Sequence, residues 1–345
     1  GKSVVNFFRK NKFKNYQVWD DNYKNLFKNK RPKNLDEALK KTDYIILSPG
    51  ISIKKILHKR KLRKFKNKII TDIDLIFLTK KYFKSIVVTG TNGKSTTCKI
   101  ISHLLKKNGF KTQLGGNIGV PVLNLKAKKD YYIIIEVSSF QLAHSKFICP
   151  DYALLLNITN DHLDWHGNMR NYIDSKFKIF KFQKKKHISF VENKLRSSFI
   201  KRQLSGKLVI PKIKHYQKIK SKIKNDCITS EINNKNMSFV FALSKFLRIN
   251  EKSFCESLNT FKGLPHRYEI FLKRKNCVFI NDSKATSFQS TKLALENTNN
   301  TFWIVGGLPK KNDKIFLQNL KKNIIKAYII GKNINFFKKQ IQNKI

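Results

Sequence analysis

The segment that most constrains this chain is residues 83–107. Phe83–Thr89 is rich in β-branched residues and reads as a buried strand. It runs straight into Thr89-Gly90-Thr91-Asn92-Gly93-Lys94-Ser95-Thr96, then into a stretch whose Ile100, Ile101, Leu104 and Leu105 recur at helical spacing, with Gly109 as a cap near its end. A strand with no polar face needs cover on both sides, so this order asks for a parallel sheet with helices packed over it. The glycines let backbone N–H groups approach phosphate oxygens, and the helix N-terminus adds partial positive charge. Lys94 can reach terminal phosphates, and the Ser95 hydroxyl can ligate Mg²⁺. Gly90, Thr91, Asn92, Gly93, Lys94, Ser95 and Thr96 are therefore candidate nucleotide-binding residues. The general pattern wants glycine where Val88 stands, so the loop is a variant. An ordinary strand-to-helix turn is the plain alternative, and Gly-Lys-Ser-Thr in this context speaks against it.

The rest of the chain alternates between strand-like and helix-like stretches, which gives an α/β class with parallel sheets. Ser3–Arg9 reads as a helix, and Tyr16–Trp19 and Tyr44–Leu47 as short strands. Tyr131–Val137 and Tyr152–Ile158 continue the sheet, while the lysine-rich residues 185–235 are ambiguous, with small strands as one reading. Asn236–Arg248 reads as a helix. Gly263-Leu264-Pro265 is a breaker, and beyond it Cys277–Ile280, Phe302–Val305 and Ala327–Ile330 read as strands. The expected divisions are 1–82, 83–262 and 263–345.

The formal net charge is +50 over 345 residues, which would suit a nucleic-acid or membrane-surface binder. The lysines are spread along the whole chain, however, without basic clusters interleaved with aromatic residues. Compositional bias is the better reading, and neither nucleic acid nor membrane is an expected partner. No apolar run approaches the roughly 18 residues of a membrane helix. Five scattered cysteines, never paired as CxxC, fit reduced thiols in a cytoplasm rather than a disulfide framework or zinc site.

Downstream segments narrow the chemistry. Glu136 closes a strand beside the phosphate loop, where a carboxylate is well placed for Mg²⁺; a solvated strand-end glutamate is the alternative. Asn157-Ile158-Thr159-Asn160-Asp161-His162-Leu163-Asp164 follows the next strand. His162 among aspartates can be a metal ligand, a general base or simply a surface residue. Nothing in composition singles out Lys176 in so lysine-rich a chain.

Taken in order, Thr-Gly-Thr-Asn-Gly-Lys-Ser-Thr, Gly115-Gly116-Asn117-Ile118-Gly119, Glu136, Asn160-Asp161-His162-Leu163-Asp164 and Lys176 resemble the Mur ligase family, which includes folylpolyglutamate synthetases. Gly263-Leu264-Pro265-His266-Arg267-Tyr268-Glu269, Asn281-Asp282-Ser283-Lys284-Ala285-Thr286, Ser138-Ser139-Phe140-Gln141-Leu142 and Ser48-Pro49-Gly50-Ile51 resemble its D-glutamate-adding branch. The resemblance implies a three-domain Mur ligase architecture, a parallel-sheet P-loop ATPase core flanked by two Rossmann-like domains. It implies an ATP-dependent ligase of peptidoglycan precursor synthesis that joins D-glutamate to UDP-N-acetylmuramoyl-L-alanine through an acyl phosphate, with ATP and two Mg²⁺. Lys94, His162 and Lys176 would be catalytic. Ser95, Glu136, His162 and Lys176 would hold metal, Lys176 as a carbamate. Asn233, Asn236, Arg267, Asp282 and Lys284 would join the nucleotide set. Ser48, Asn117, Ser138, Gln141, Thr286 and Lys310 would lie near the other substrates. The expected arrangement has Lys94, Ser95, Glu136 and His162 converging on one centre that faces Lys284 across a cleft.

Several positions depart from the family pattern. The family's first strand and glycine-rich uridine loop would precede Gly1, its closing segment would follow residue 345, and the uridine-side segment reads Asp20-Asp21-Asn22. The expectation is a fragment with impaired turnover and exposed apolar sheet edges. Three other readings stand beside this one: another amide ligase of the family, a basic nucleic-acid-binding ATPase, and a non-catalytic binding protein.

Overall fold

A computed structural model describes residues 1–23, 27–51, 58–79, 83–126, 128–309, 313–315 and 320–342. The chain divides into two compact units, Gly1–Pro211 and Lys212–Ile345.

The first unit is built on a six-stranded sheet. Two short strands come first, β1 (Ile45–Ile46) and β2 (Ile69–Ile70), paired in parallel with each other. The main sheet comprises β3 (Lys84–Thr89), β4 (Thr112–Gly116), β5 (Tyr132–Glu136), β6 (Tyr152–Leu155), β7 (Ile188–Val191) and β8 (Lys207–Val209). Its order is β4-β5-β3-β6-β7-β8, and every pairing is parallel. From β3 the chain moves out to β4, returns to β5, then crosses to β6 on the far side. Adjacent strands β3 and β6 therefore send their connections in opposite directions, which opens a crevice at their C-terminal ends. Five of the six residues of β3 are buried, which explains its lack of alternation.

Local chemistry agrees with these elements. The helix Lys94–Lys107 starts on Gly93 in a left-handed conformation. It ends just before Gly109, whose φ of +78° is the usual terminating geometry. The N-terminal helix Lys2–Lys10 packs Val4, Phe7 and Phe8 onto the same core that holds Ile73, Val87, Ile133, Ile135 and Leu155. The helix Asp72–Leu78 is fixed to this core by Asp74. That fully buried carboxylate accepts from Thr71 N (2.8 Å), Ser145 Oγ (2.6 Å), Lys146 N (2.9 Å) and Phe147 N (2.7 Å).

The second unit carries the helices Ile213–Lys220, Asn234–Phe246 and Glu251–Asn259. They are followed by an antiparallel pair, β9 (Glu269–Arg274) with β10 (Cys277–Asn281), and a parallel pair, β11 (Thr301–Gly306) with β12 (Ile324–Ile330). One face of β11–β12 packs on Phe288, Leu295 and Phe337. Phe302, Ile304, Tyr328 and Ile330 are exposed.

Sequence and structure differ in places. Tyr16–Trp19 forms no strand, because its backbone bonds, Tyr16 N to Lys14 O at 3.1 Å and Val18 N to Lys30 O at 2.9 Å, make no ladder. Strand propensity without a neighbouring ladder does not make a strand. The antiparallel β9–β10 hairpin departs from an all-parallel reading. Residues 185–235 contain β7 and β8 together with helices.

Two stability predictions follow from this unit. Removing the Asp74 carboxylate leaves several buried donors unpaired, so Asp74→Ala is expected to cost about 3 kcal/mol in urea unfolding. A cost under about 0.5 kcal/mol, the level of an ordinary surface change, would refute the anchoring role. His144 is mostly buried, and burial together with Lys178, Lys66 and Lys146 holds its pKa down at about 4. Below pH 6.5 the unfolded chain binds a proton there that the folded chain refuses. Stability should therefore fall as pH drops from 6.5 to about 4, by up to about 3 kcal/mol. Unfolding of His144→Gln across that window should show a flatter profile.

Candidate active site

The C-terminal ends of β3, β5 and β6 carry three segments that meet. The P-loop leaves β3 at Thr89, with Gly90 buried against Leu156: an added Cβ would sit 3.1 Å from Leu156 Cβ. Lys94 Nζ donates to the loop carbonyls of Gly90 (2.9 Å) and Thr91 (2.7 Å). Lys176 lies 86 residues away on the helix Met169–Phe177, yet its Nζ donates to the same Gly90 carbonyl at 2.7 Å. Lys176 is 1% exposed. Burial, with the Lys94 charge adding to it, holds the Lys176 amine well below the usual lysine range, while Asp161 acts in the opposite sense.

Glu136 ends β5 next to Val88 of β3 and is 2% exposed. Its Oε1 accepts from Asn117 Nδ2 at 2.9 Å, whereas its buried Oε2 has no hydrogen-bond partner. A buried carboxylate oxygen left open in this way fits a group that brings positive charge. Lys94 and Glu136 both act electrostatically on the buried Cys98 thiol, one turn into the P-loop helix. Ser95 is buried at the start of that helix. Gly115 and Gly116 are required where β4 comes close: a Cβ on Gly116 would lie 2.4 Å from Glu136 O, and its φ is +100°. Asn117 N also donates to Glu136 O at 2.8 Å.

After β6 comes the Asn157–Asp164 loop. His162 sits in a left-handed conformation (φ 54°), with Nε2 3.3 Å from Asp161 Oδ2 and its ring 4.7 Å from Phe140. Among the described residues, no three His, Cys, Asp or Glu side chains are grouped closely enough to hold a metal. The candidate ligand set draws instead on a serine hydroxyl and a lysine. Ser138 and Gln141 form a capping box on the helix Ser139–His144: Gln141 Oε1 accepts from Ser138 N at 3.0 Å, and Gln141 N donates to Ser138 Oγ at 3.3 Å. Ser48 follows β1, and its hydroxyl accepts from the Gly1 ammonium at 3.5 Å.

The remaining candidates lie in the second unit. Asn233 and Asn236 are buried, and Asn236 Nδ2 donates to Asn233 Oδ1 at 3.2 Å. Asp282 Oδ1 accepts from Tyr268 N at 3.0 Å. Its carboxyl is pushed up by burial, against the lowering effect of Arg267. Lys284 N donates to His266 O at 3.0 Å, while the side chains of Lys284, Arg267 and Thr286 are exposed. Lys310 lies outside the described residues.

Sequence reasoning missed the supports of the P-loop. Asn157 Oδ1 accepts from Thr91 N (3.1 Å) and Asn92 N (2.9 Å), and its Nδ2 donates to Asn92 O (3.0 Å). Tyr172 OH lies 2.9 Å from Thr91 Oγ1. Neither contact has a local signature, because the partners are 65 to 81 residues apart.

Residues 88–262 match the Mur ligase middle domain model. The UDP-N-acetylmuramoylalanine–D-glutamate ligase of Rickettsia felis is 36% identical over 330 residues, covering 89% of this chain and 73% of that protein. The ligase of the same name from the Wolbachia of Brugia malayi is 32% identical over 417 residues, covering 100% of this chain and 83% of that protein. The chain belongs to the Mur ligase family. The solved MurF ligase of Thermotoga maritima in complex with ADP matches with a TM-score of 0.54 at 17% identity, over 76% of each chain, and shows the shared fold. Within this Mur ligase the Gly-Gly-Asn segment owes its glycines to β4–β5 packing. Gly116→Ala, strained in φ and colliding with the Glu136 carbonyl, should cost about 2 kcal/mol or more in thermal unfolding. A melting temperature equal to the parent's would refute the close approach.

Proposed function

We infer that this Mur ligase joins D-glutamate to UDP-N-acetylmuramoyl-L-alanine at the expense of ATP. The observation that carries the reading is the meeting of Lys94 and Lys176 on one P-loop carbonyl, beside a buried Glu136 oxygen without a partner. A carboxylate and a triphosphate repel each other, so an enzyme that brings them in line must supply fixed positive charge. Lys94 is placed to leave its loop carbonyls for the terminal phosphates. The alanine carboxylate oxygen then attacks the γ-phosphorus and ADP departs. The D-glutamate amine adds to the acyl carbon, loses a proton and expels phosphate.

Mg²⁺ would be held by Ser95 and Glu136, and a second ion by His162 and Lys176, supplying charge neutralisation at the phosphate oxygens. By family resemblance Lys176 would carry a carbamate. Burial that favours a neutral amine supports this, since only the free amine adds to CO₂. Gly90, Thr91, Asn92, Gly93, Lys94, Ser95, Thr96, Asn233, Asn236, Arg267, Asp282 and Lys284 are assigned to ATP. Ser48, Asn117, Ser138, Gln141, Thr286 and Lys310 are assigned to the other substrates. Residues 1–82 would receive the UDP substrate, 83–262 ATP, and 263–345 would complete the site. No described helix is long and apolar enough to cross a membrane, and a cytoplasmic location follows from the nucleotide-linked substrates.

With ATP, Mg²⁺ and UDP-N-acetylmuramoyl-L-alanine, phosphate release should rise on adding D-glutamate. Lys94→Ala should lower kcat/KM by about 10³-fold or more. Stimulation by folate with L-glutamate would move the chain to another branch, and stimulation by DNA or RNA would overturn the ligase reading.

A further inference from the structure

We propose that Tyr172 is a positioning residue that couples the P-loop to Lys176, holding Thr91 through its hydroxyl and the lysine side chain on its ring. This rests on the nucleotide-binding reading above. Tyr172 is 1% exposed and stands four residues before Lys176 on the helix Met169–Phe177, so both project from one face. Lys176 Nζ lies 4.8 Å from the centre of the Tyr172 ring, while its other contact is the Gly90 carbonyl at 2.7 Å. The side chain thus packs against the aromatic ring while its amine meets the P-loop backbone.

The hydroxyl has a defined direction. Thr91 Oγ1 donates to Thr159 O at 3.2 Å and accepts from Thr159 N at 2.9 Å. Having spent its proton, it is the acceptor at 2.9 Å from Tyr172 OH, and the phenol is the donor. The ring is itself oriented. His166 meets it edge-on at 5.1 Å, and His166 Nε2 lies 3.0 Å from Ser139 Oγ, on the helix that follows Glu136. Tyr172 therefore ties together segments from the ends of β3, β5 and β6, and it fixes both the loop that takes phosphate and the lysine that faces it.

The test pairs ADP calorimetry with ligase kinetics. Tyr172→Phe keeps the ring and loses the donor: the ADP Kd and the KM for ATP should rise about 5- to 20-fold, with kcat within about twofold. Thr91→Val, which also loses the two Thr159 bonds, should weaken ADP at least as much, and the double variant should be no weaker than Thr91→Val alone. Tyr172→Leu also removes the platform: kcat should fall about 100-fold, and the ¹³C-carbamate signal from labelled bicarbonate, kept in the Phe variant, should vanish. Should the Leu variant fail to fold, the Phe and Val cycle decides alone. Unchanged ADP affinity in Tyr172→Phe, or additive losses in the double variant, overturn the proposal. If the parent ligates normally while Tyr172→Phe binds ADP unchanged, only the positioning role falls. If the parent binds ADP with the expected cycle yet ignores D-glutamate, the positioning role stands and the ligase reading falls.

Discussion

A strand hydrogen-bonded along both edges and covered on both faces can present polar chemistry only at its end. β3 is in that position, with β5 and β6 on its edges and nearly all its side chains buried. Its C-terminal carbonyls and the loop after Thr89 are thereby fixed relative to the ends of two neighbours. The strand order places β3 beside β6 at the point where connections diverge, so the crevice at the switch point forms without any further device. Each candidate functional residue of the first unit, apart from Ser48, sits on a segment leaving β3, β4, β5 or β6, or on the helix after the β6 loop.

Within that frame the Gly90 carbonyl is the electrostatic centre. Two lysine amines share it, and one of them is almost wholly buried. Burial, with the Lys94 charge beside it, disfavours the charged form of the Lys176 amine there. Nearby, a glutamate oxygen is buried without a donor. Each feature alone costs folding free energy, and both fit the ATP site of an ATP-dependent ligase. The same residues packed for stability alone would pair Glu136 with one of the lysines directly.

Much of this was legible in the chain. The P-loop could be read because its chemistry demands particular residue types at fixed spacing, and β5 and β6 because buried parallel strands have a distinctive apolar run. The helix after Gly93 and its stop at Gly109 followed from periodicity and a cap. What stayed hidden depends on contacts far apart in sequence. Asn157 and Tyr172 are ordinary residues until folding brings them to Thr91. β7 and β8 were obscured because lysines crowd the turns around their short apolar runs. Tyr16–Trp19 misled for the opposite reason: its side chains favour a strand, but its backbone bonds make no ladder.

Ser138 and Gln141, assigned to substrate by resemblance, are engaged with each other in the fold. Their side chains close a reciprocal cap on the helix Ser139–His144, and Gln141 also bonds to the half-buried carboxyl of Asp72. Gln141 Oε1 is already committed to Ser138 N and Oγ, so any substrate group meeting this pair must do so through the Ser138 hydroxyl or displace the cap. Asp72 begins the helix whose Asp74, two residues on, accepts from Ser145 Oγ and Phe147 N. The cap, the helix Asp72–Leu78 and the loop at 145–147 therefore form one hydrogen-bonded junction. Gln141 stands two residues from Ser139, whose hydroxyl lies 3.0 Å from His166 Nε2, and His166 meets the Tyr172 ring, so this junction is continuous with the contacts that hold Thr91.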